Sequence, residues 1–155
     1  MALIIKKFGG TSVGDIKKIK AISQSIVQSK EAGNDIVIVV SAMGDSTDQL
    51  NKLAESISKN PNSRELDMLL STGEQVTIAL LSMSLNEYGI PAISMTGSQV
   101  GIVTESIHGR ARILDIKTER IQNYINQGYV VVVAGFQGST LSHTGSMEIL
   151  SLIHI

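Results

Sequence analysis

Four short apolar runs alternate along the chain with longer segments in which apolar residues recur every three or four positions. Runs of this length, bounded by turn residues and without polar alternation, are typical of strands that are buried on both faces of a sheet. The runs are Leu3–Ile5, Ile36–Val40, Ile90–Ile93 and Val130–Val133. Alternating strands and helices form parallel sheets through right-handed crossovers, with helices on both faces. The sequence therefore predicts an α/β fold with a mainly parallel sheet.

The helical segments end at residues that commonly stop helices. Gly33 follows the first segment, Gly89 and Pro91 follow the long middle segment, and Gly128 follows the last one. The segment 96–107 is polar and contains glycine, which predicts a loop or an irregular strand. No stretch has the composition of a domain linker, so we expect one domain.

Composition excludes several classes of function. Hydrophobic residues make up 43% and charged residues 17% of the chain, so it should fold. With 13 Lys and Arg against 14 Asp and Glu, we expect neither nucleic acid nor a membrane surface as a partner. There is no cysteine, and three scattered histidines predict no metal site. Without a secretory signal or an apolar run of roughly eighteen residues, we expect a soluble cytoplasmic protein with a small-molecule ligand.

The first strand is followed by a segment that suits phosphate. Gly9 and Gly10 would let backbone N–H groups approach an anion, Ser12 adds a hydroxyl, and Lys7 could neutralise a phosphoryl group in transfer. The lysine precedes the glycines, so this is not a Walker loop. A tight turn into a helix capped by Ser or Thr explains the same residues equally well.

Two further polar segments have a functional and a structural interpretation. Ser41 and Thr47 flank a loop after the second strand and could donate hydrogen bonds to a carboxylate, or they could serve a turn and a helix cap. Glu74 lies in a polar interruption, 71–75, of an apolar helical pattern. Its buried charge would need a partner such as a substrate ammonium group, or it could be a first-turn acid of a new helix.

The last strand ends in Gly135-Phe136-Gln137-Gly138, where the backbone could contact a ligand or simply turn. His108, Arg110 and Arg112 could bind an anion, although a solvated basic loop is the more economical interpretation.

Taken in chain order, four segments resemble the successive signatures of aspartate kinases, and the likeness covers roughly residues 2 to 149. The segments are Lys7 to Val13 (KFGGTSV), Ser41 to Asp48 (SAMGDSTD), Leu66 to Gln75 (LDMLLSTGEQ) and Ala134 to Gly138 (AGFQG). Any one of them is weak, but four in order at family-like spacing are specific.

The resemblance implies the amino-acid kinase (carbamate kinase-like) fold, a three-layer α/β/α sandwich that is incomplete in this chain. It implies a kinase that uses ATP and Mg²⁺ to convert L-aspartate to 4-phospho-L-aspartate, the first step towards lysine, threonine and methionine. It implies the following roles: Lys7 stabilises the phosphoryl group in transit; Gly9, Gly10 and Ser12 line the phosphate loop; Ser41, Thr47, Glu74, Gly135 and Phe136 form the aspartate pocket.

The chain departs from the family after residue 149. Residues 1–149 correspond to the N-terminal lobe of the kinase domain, and residues 150–155 do not match the Thr-Thr-Leu-Gly-Arg-Gly-Gly-Ser-Asp-like continuation of the family. Most of the nucleotide-binding lobe and the regulatory domains would lie beyond it. We therefore expect an inactive fragment of an enzyme that is homo-oligomeric at full length. Another amino-acid kinase (acting on glutamate, N-acetylglutamate, carbamate or a nucleotide) and a non-catalytic binding module remain as alternatives.

Overall fold

The computed structural model describes residues 2–106, 111–139 and 149–151. The elements in chain order are β1 (Leu3–Phe8), α1 (Ile16–Glu31), β2 (Asp35–Val40), α2 (Ser46–Ile57), α3 (Ser63–Glu87), β3 (Ala92–Met95), α4 (Gly97–Val100), β4 (Ile102–Thr104), β5 (Ile113–Ile116), α5 (Glu119–Asn126), β6 (Val130–Ala134), β7 (Gln137–Ser139) and β8 (Ile149–Ser151).

The main sheet contains the four strands that the apolar runs predict, in the order β1-β2-β6-β3, and every pair is parallel. β6 pairs with β2 and β3, so the last strand of this sheet in the chain lies between two earlier ones. The predicted mainly parallel sheet is confirmed.

Alternate residues of β2 and β6 face two separate cores, one on each side of the sheet. On one side Ile38 and Val132 pack with Ile26 of α1 and Leu81 of α3. On the other side Val131 and Val133 pack with α4 and α5. Strands with both faces covered need apolar residues at every position, which is why β6 reads as an uninterrupted valine run. The predicted three layers, with helices on both faces, are confirmed.

A second sheet, with the strand order β5-β4-β7-β8, was not predicted. Its strands β4 and β7 come in the chain shortly after β3 and β6 of the first sheet. It contains antiparallel and parallel pairs. The segment 96–107, predicted as loop or irregular strand, supplies α4 and β4 to this region. The structure also differs from the sequence interpretation at residues 150 and 151, which pair with Gly138 and Gln137 through β8 rather than standing apart from the fold. Backbone pairing of this kind needs no family-specific side chain.

Two further expectations are corrected. β1 is an edge strand, and it is covered on one face only: Leu3 and Ile5 are 55% and 68% exposed.

The polar segment 71–75 does not interrupt a helix, because α3 continues unbroken from Ser63 to Glu87. The hydroxyls of Ser71 and Thr72 donate to carbonyls one turn earlier in the same helix, at 2.7 Å each, so these polar side chains find partners without a helix break.

Candidate functional site

The carboxyl ends of β1, β2 and β6 lie side by side. Phe8 is in register with Val40, and Val40 is in register with Ala134. The next residues continue the ladder: the Ser41 amide donates to the Phe8 carbonyl at 3.1 Å and the Gly135 amide to the Val40 carbonyl at 2.9 Å. Three of the four motif segments therefore start at one edge of the sheet, where ligands bind in open parallel sheets.

The segment after β1 is a loop rather than a direct entry into a helix. α1 begins at Ile16, and its N-terminal cap is Asp15, whose carboxylate accepts from the Lys18 amide at 2.8 Å. Neither Thr11 nor Ser12 is the cap, so that interpretation is wrong. The loop is closed on itself by the Ser12 amide, which donates to the Gly9 carbonyl at 2.9 Å. No heavy atom lies within 4 Å of the position that a Gly9 side chain would take, so this backbone is open to a ligand.

The loops after β1 and β2 touch each other through glycine. The Gly44 amide donates to the Gly10 carbonyl at 3.0 Å. A Cβ on Gly10 would lie 2.9 Å from the Ala42 carbonyl oxygen, closer than a side chain tolerates. A glycine at this position lets the two loops form one surface.

Helix α3 joins this surface at Gly73. A Cβ at Gly73 would lie 3.1 Å from Ala42 Cβ and 3.3 Å from Leu50 Cδ1. Glycine in a helix interior costs roughly 1 kcal/mol relative to alanine, and here it allows the helix to approach the loop closely. The next residue, Glu74, is thereby held beside the ends of the strands.

Glu74 is the electrostatic centre of the site. It is 5% exposed, and the Phe136 amide donates to both carboxylate oxygens, at 3.1 and 3.3 Å. Burial raises the pKa of Glu74 to about 7, although hydrogen bonds from the Phe136 amide and the Gln137 side chain partly oppose the rise. Among the described residues the ion pairs are Lys30–Asp35 and Arg64–Glu65, so no cation of that part of the chain neutralises Glu74. A cationic ligand would complete this arrangement.

Gln137 belongs to the site and was missed from the sequence. It is 2% exposed, its side-chain amide nitrogen donates to the Ser71 carbonyl at 2.7 Å, and it also bonds the Glu74 carboxylate. Its side-chain oxygen has no hydrogen-bond partner among the described residues. The available signal was a polar residue in the glycine-containing segment Gly135 to Gly138 that follows a buried strand.

Lys7 lies at the same site as Glu74, because its ammonium nitrogen is 5.6 Å from the centroid of the Phe136 ring. Lys7 is exposed at the end of β1. The same residue, Phe136, thus contacts the buried carboxylate through its backbone and the lysine through its ring. The preceding residue, Gly135, has no room for a side chain, since a Cβ there would lie 3.0 Å from the Val40 carbonyl oxygen.

The remaining predicted residues lie at the rim. Ser41 is half-buried at the end of β2, and Ser12 is exposed in the β1–α1 loop. Thr47 is exposed in the first turn of α2, and its neighbour Ser46 approaches Gly73. The described residues contain no group of three or more His, Asp or Glu side chains that could hold a metal ion. Of the basic segment, His108 and Arg110 lie outside the described residues.

The sequence model of the amino acid kinase family matches residues 2–152. The chain is 59% identical over 138 residues to an aspartokinase of Bacillus sp. (strain MGA3), covering 89% of this chain and 34% of the relative. It is 54% identical over 150 residues to an aspartokinase of Geobacillus stearothermophilus, covering 97% of this chain and 36% of the relative. The chain thus spans about a third of the length of the curated relatives that it matches.

Solved structures of related proteins share the fold of this chain. The crystal structure of an aspartate kinase from Synechocystis matches with a TM-score of 0.79 at 53% identity, covering 97% of this chain and 24% of that one. E. coli aspartokinase III in complex with aspartate and ADP matches with a TM-score of 0.77 at 22% identity, covering 97% and 43%. A carbamate kinase from Giardia shares the fold with a TM-score of 0.72 at 12% identity, covering 99% and 65%.

Proposed function

This chain belongs to the amino acid kinase family, and on that basis we propose that it forms the amino-acid-binding part of an aspartate kinase. The single observation that carries the proposal is Glu74: a buried carboxylate without a cationic partner among the described residues, held by the Phe136 amide at the edge where three motif loops meet. The α-ammonium group of an amino acid supplies the missing charge.

The buried carboxylate also separates the candidates within the family. Carbamate and N-acetylglutamate carry no free ammonium group, so binding them would leave Glu74 unpaired and buried, which is costly. Aspartate and glutamate both satisfy Glu74. The 53–59% identity to aspartate kinases favours aspartate between these two.

In the proposed reaction, an oxygen of the aspartate side-chain carboxylate forms a bond to the γ-phosphorus of ATP while the bond to the bridging oxygen breaks. The products are 4-phospho-L-aspartate and ADP. A carboxylate nucleophile is already ionised at neutral pH, so no general base is required and catalysis is positioning and charge stabilisation. The role of Lys7 is to stabilise charge on the phosphoryl group in transit.

The other assignments are part of the same proposal. The open backbone at Gly9, with Gly10 and Ser12, contacts the phosphates, and Ser41, Thr47, Gly135 and Phe136 line the aspartate pocket with Glu74. The described residues contain no group of three or more His, Asp or Glu side chains that could hold a metal ion, and we assign none of them to the Mg²⁺ that accompanies ATP. We further propose a soluble cytoplasmic enzyme, with residues 1–149 as the N-terminal lobe of its kinase domain.

Calorimetric titration of the 155-residue chain tests the ligand. We expect L-aspartate to bind more tightly than L-glutamate, and N-succinyl or N-acetyl derivatives, which lack the ammonium group, not to bind. Equal binding of N-acetylaspartate and aspartate would contradict the assignment of Glu74. Binding of aspartate together with failure of any kinase activity in a completed enzyme would favour the alternative of a non-catalytic binding module.

A further inference from the structure

Gln137, the first residue of β7, is a buried polar side chain to which the proposed function gives no role. Its side-chain nitrogen donates to the Ser71 carbonyl of α3 at 2.7 Å, and the side chain also bonds the Glu74 carboxylate. A carbonyl oxygen and an ionised carboxylate only accept hydrogen bonds, so the amide nitrogen, with its two hydrogens, must be the atom that faces α3. Gln137 therefore acts on Glu74 as a hydrogen-bond donor.

The oxygen of the same amide has no hydrogen-bond partner among the described residues, although it is buried. In that part of the chain it is thus the nitrogen that ties the Gln137 side chain to its surroundings. An apolar side chain of similar length would fill the same space without a buried acceptor to satisfy. The residue type at this position is therefore explained by its donor, whose acceptors are Ser71 and Glu74.

The backbone of Gln137 is held on both sides. It is in register with Ser151 of β8, and a Cβ on Gly97 of α4 would lie 1.9 Å from the Gln137 carbonyl oxygen. The preceding amide, that of Phe136, donates to the Glu74 carboxylate. Two consecutive residues thus present donors to one carboxylate from a backbone with little freedom to move. Donors that the fold already orients stabilise a charge without having to be ordered when a ligand binds.

We propose that Gln137 is a positioning residue of the amino-acid site: its amide holds the Glu74 carboxylate ionised and in place, and so strengthens binding of a ligand's ammonium group. This inference rests on the proposed function, in which Glu74 pairs with the α-ammonium group of the amino acid. An ionised carboxylate attracts that group, whereas a protonated one does not. Because burial favours the protonated form, the site needs donors that favour the ionised one.

The donors that favour ionised Glu74 are neutral. Burial raises the pKa of Glu74 to about 7, and the groups that lower it are the Phe136 amide and the Gln137 side chain. β6, β7 and β8 carry no charged residue. The charged residues on the other elements around Glu74 are Lys7 on β1, Asp45 before α2, Asp48, Lys52 and Glu55 on α2, and Asp67 on α3 itself.

These charged residues are exposed, with the exception of Asp67, and solvent and salt screen exposed charges. Asp67 lies two turns before Glu74, about 10 Å along the helix axis. Its charge has the sign that opposes ionisation of Glu74. The donor at Gln137 therefore has no substitute among these charged residues.

Titration of the unliganded 155-residue chain tests the role directly. Gln137→Met keeps the length of the side chain and removes the donor. Carbon-13 NMR of the Glu74 side-chain carboxyl carbon, assigned by its loss in Glu74→Gln, should show a higher titration midpoint in Gln137→Met than in the natural chain. Equal midpoints in these two proteins would overturn the proposal, whether or not the chain binds aspartate.

Gln75→Met is the matched control for this titration. Gln75 adjoins Glu74 on α3, but its side-chain nitrogen is 3.4 Å from the Ser71 hydroxyl oxygen and does not bond the carboxylate. The Glu74 midpoint in Gln75→Met should equal that of the natural chain. A rise as large as the one in Gln137→Met would contradict a specific role for the Gln137 donor.

Calorimetry with L-aspartate at pH 6 and pH 8 separates positioning from a merely structural role. Loss of one hydrogen bond to the carboxylate should weaken aspartate binding in Gln137→Met roughly tenfold at pH 6, where Glu74 must first be ionised. At pH 8 the loss should be roughly twofold, because much of the carboxyl group is already ionised there. An equal loss at both pH values would indicate a structural role and overturn the proposal. If the natural chain does not bind aspartate, the proposed function fails, and the NMR titration still decides the role of Gln137.

Gln137→Glu is the second variant in case Gln137→Met does not fold. It has nearly the shape of glutamine, but its ionised side chain cannot donate and carries a charge of the same sign as Glu74. Two carboxyl groups at this distance should titrate in two steps, and the higher step should lie above the midpoint of the natural chain. A higher step at or below that midpoint would contradict the proposal.

Discussion

At the scale of single residues, the ionisation of Glu74 controls the behaviour of the site. Its pKa is raised to about 7 by burial, so near neutral pH the unliganded chain is divided between a protonated and an ionised carboxyl group. An arriving ammonium group would hold the ionised form. The Gln137 side chain bonds both this carboxylate and the Ser71 carbonyl of the same helix, α3. Gln137 therefore helps to hold the Glu74 carboxylate in place.

The first prediction concerns stability against pH. The pKa of Glu74 rises from 4.5 when unfolded to about 7 when folded, so the folded chain binds the extra proton between these values and loses stability as pH increases through them. Glu74→Gln cannot ionise, so it should be more stable than the natural chain at pH 8 by about 2 to 3 kcal/mol and nearly equal at pH 4 to 5. Urea unfolding at both pH values measures the difference. A constant difference at both values would show that Glu74 does not titrate in this range.

The second prediction concerns ligand affinity. Glu74→Gln keeps the shape of the side chain and removes its charge, so aspartate affinity should fall by roughly 1.5 to 3 kcal/mol, the usual worth of a hydrogen bond to a charged group. Glu55→Gln, at an exposed position on α2, is the control and should bind aspartate normally. Calorimetry of both variants at pH 8 decides the matter. Unchanged affinity in Glu74→Gln would mean that the ammonium group binds elsewhere.

The third prediction separates two adjacent lysines of β1 in an enzyme completed with the remaining two thirds of a relative. Lys7→Ala should lower kcat far more than it raises KM for aspartate, because its charge acts on the transition state. Lys6→Ala should leave kcat unchanged, since the Lys6 ammonium nitrogen bonds Ser29 Oγ at 3.1 Å on the opposite face. Steady-state kinetics of the two variants provide the comparison. An effect on KM alone in Lys7→Ala would contradict the assigned role.

At the scale of elements, the parts predicted from sequence are those that local pattern specifies. The four strands of the main sheet and its helices follow from apolar runs and helical spacing. The second sheet does not, because β4, β7 and β8 have three residues each, too short for a clear pattern, and β4 pairs with β7 across a long stretch of chain. The continuity of α3 was hidden by Gly73, which is explained only by contact with Ala42. Gln137 was missed for the same reason: its partners, Ser71 and Glu74, lie on a distant helix.

The fourth prediction tests how the second sheet is joined to the site. A Cβ at Gly97 would lie 1.9 Å from the Gln137 carbonyl oxygen, so Gly97→Ala must displace the backbone of Gln137. We expect a loss of about 1 to 3 kcal/mol in stability, typical of overpacking, and weaker aspartate binding. Gly9→Ala is the control for stability, because no heavy atom lies within 4 Å of its new Cβ. Equal stability of the two variants in thermal melts would contradict this packing.

At the scale of the whole molecule, the chain brings four separate segments to one sheet edge while spanning about a third of the length of its curated relatives. The motif order in the sequence was sufficient to predict the family. The motif order did not predict how the loops contact each other. The hydrogen bond between Gly44 and Gly10 and the close approach of Gly73 to Ala42 join segments that are far apart in the chain.

The central claim is that these segments form the aspartate-binding half of a kinase. Its most direct test is a coupled assay of residues 1–149 joined to the remaining two thirds of the Geobacillus stearothermophilus aspartokinase, beside the 155-residue chain alone. We expect ATP turnover in the chimera that depends on L-aspartate and is abolished or strongly reduced by Lys7→Ala, and none from the 155-residue chain. A folded chimera that fails to turn over ATP with aspartate, or that does so with carbamate instead, would contradict the claim.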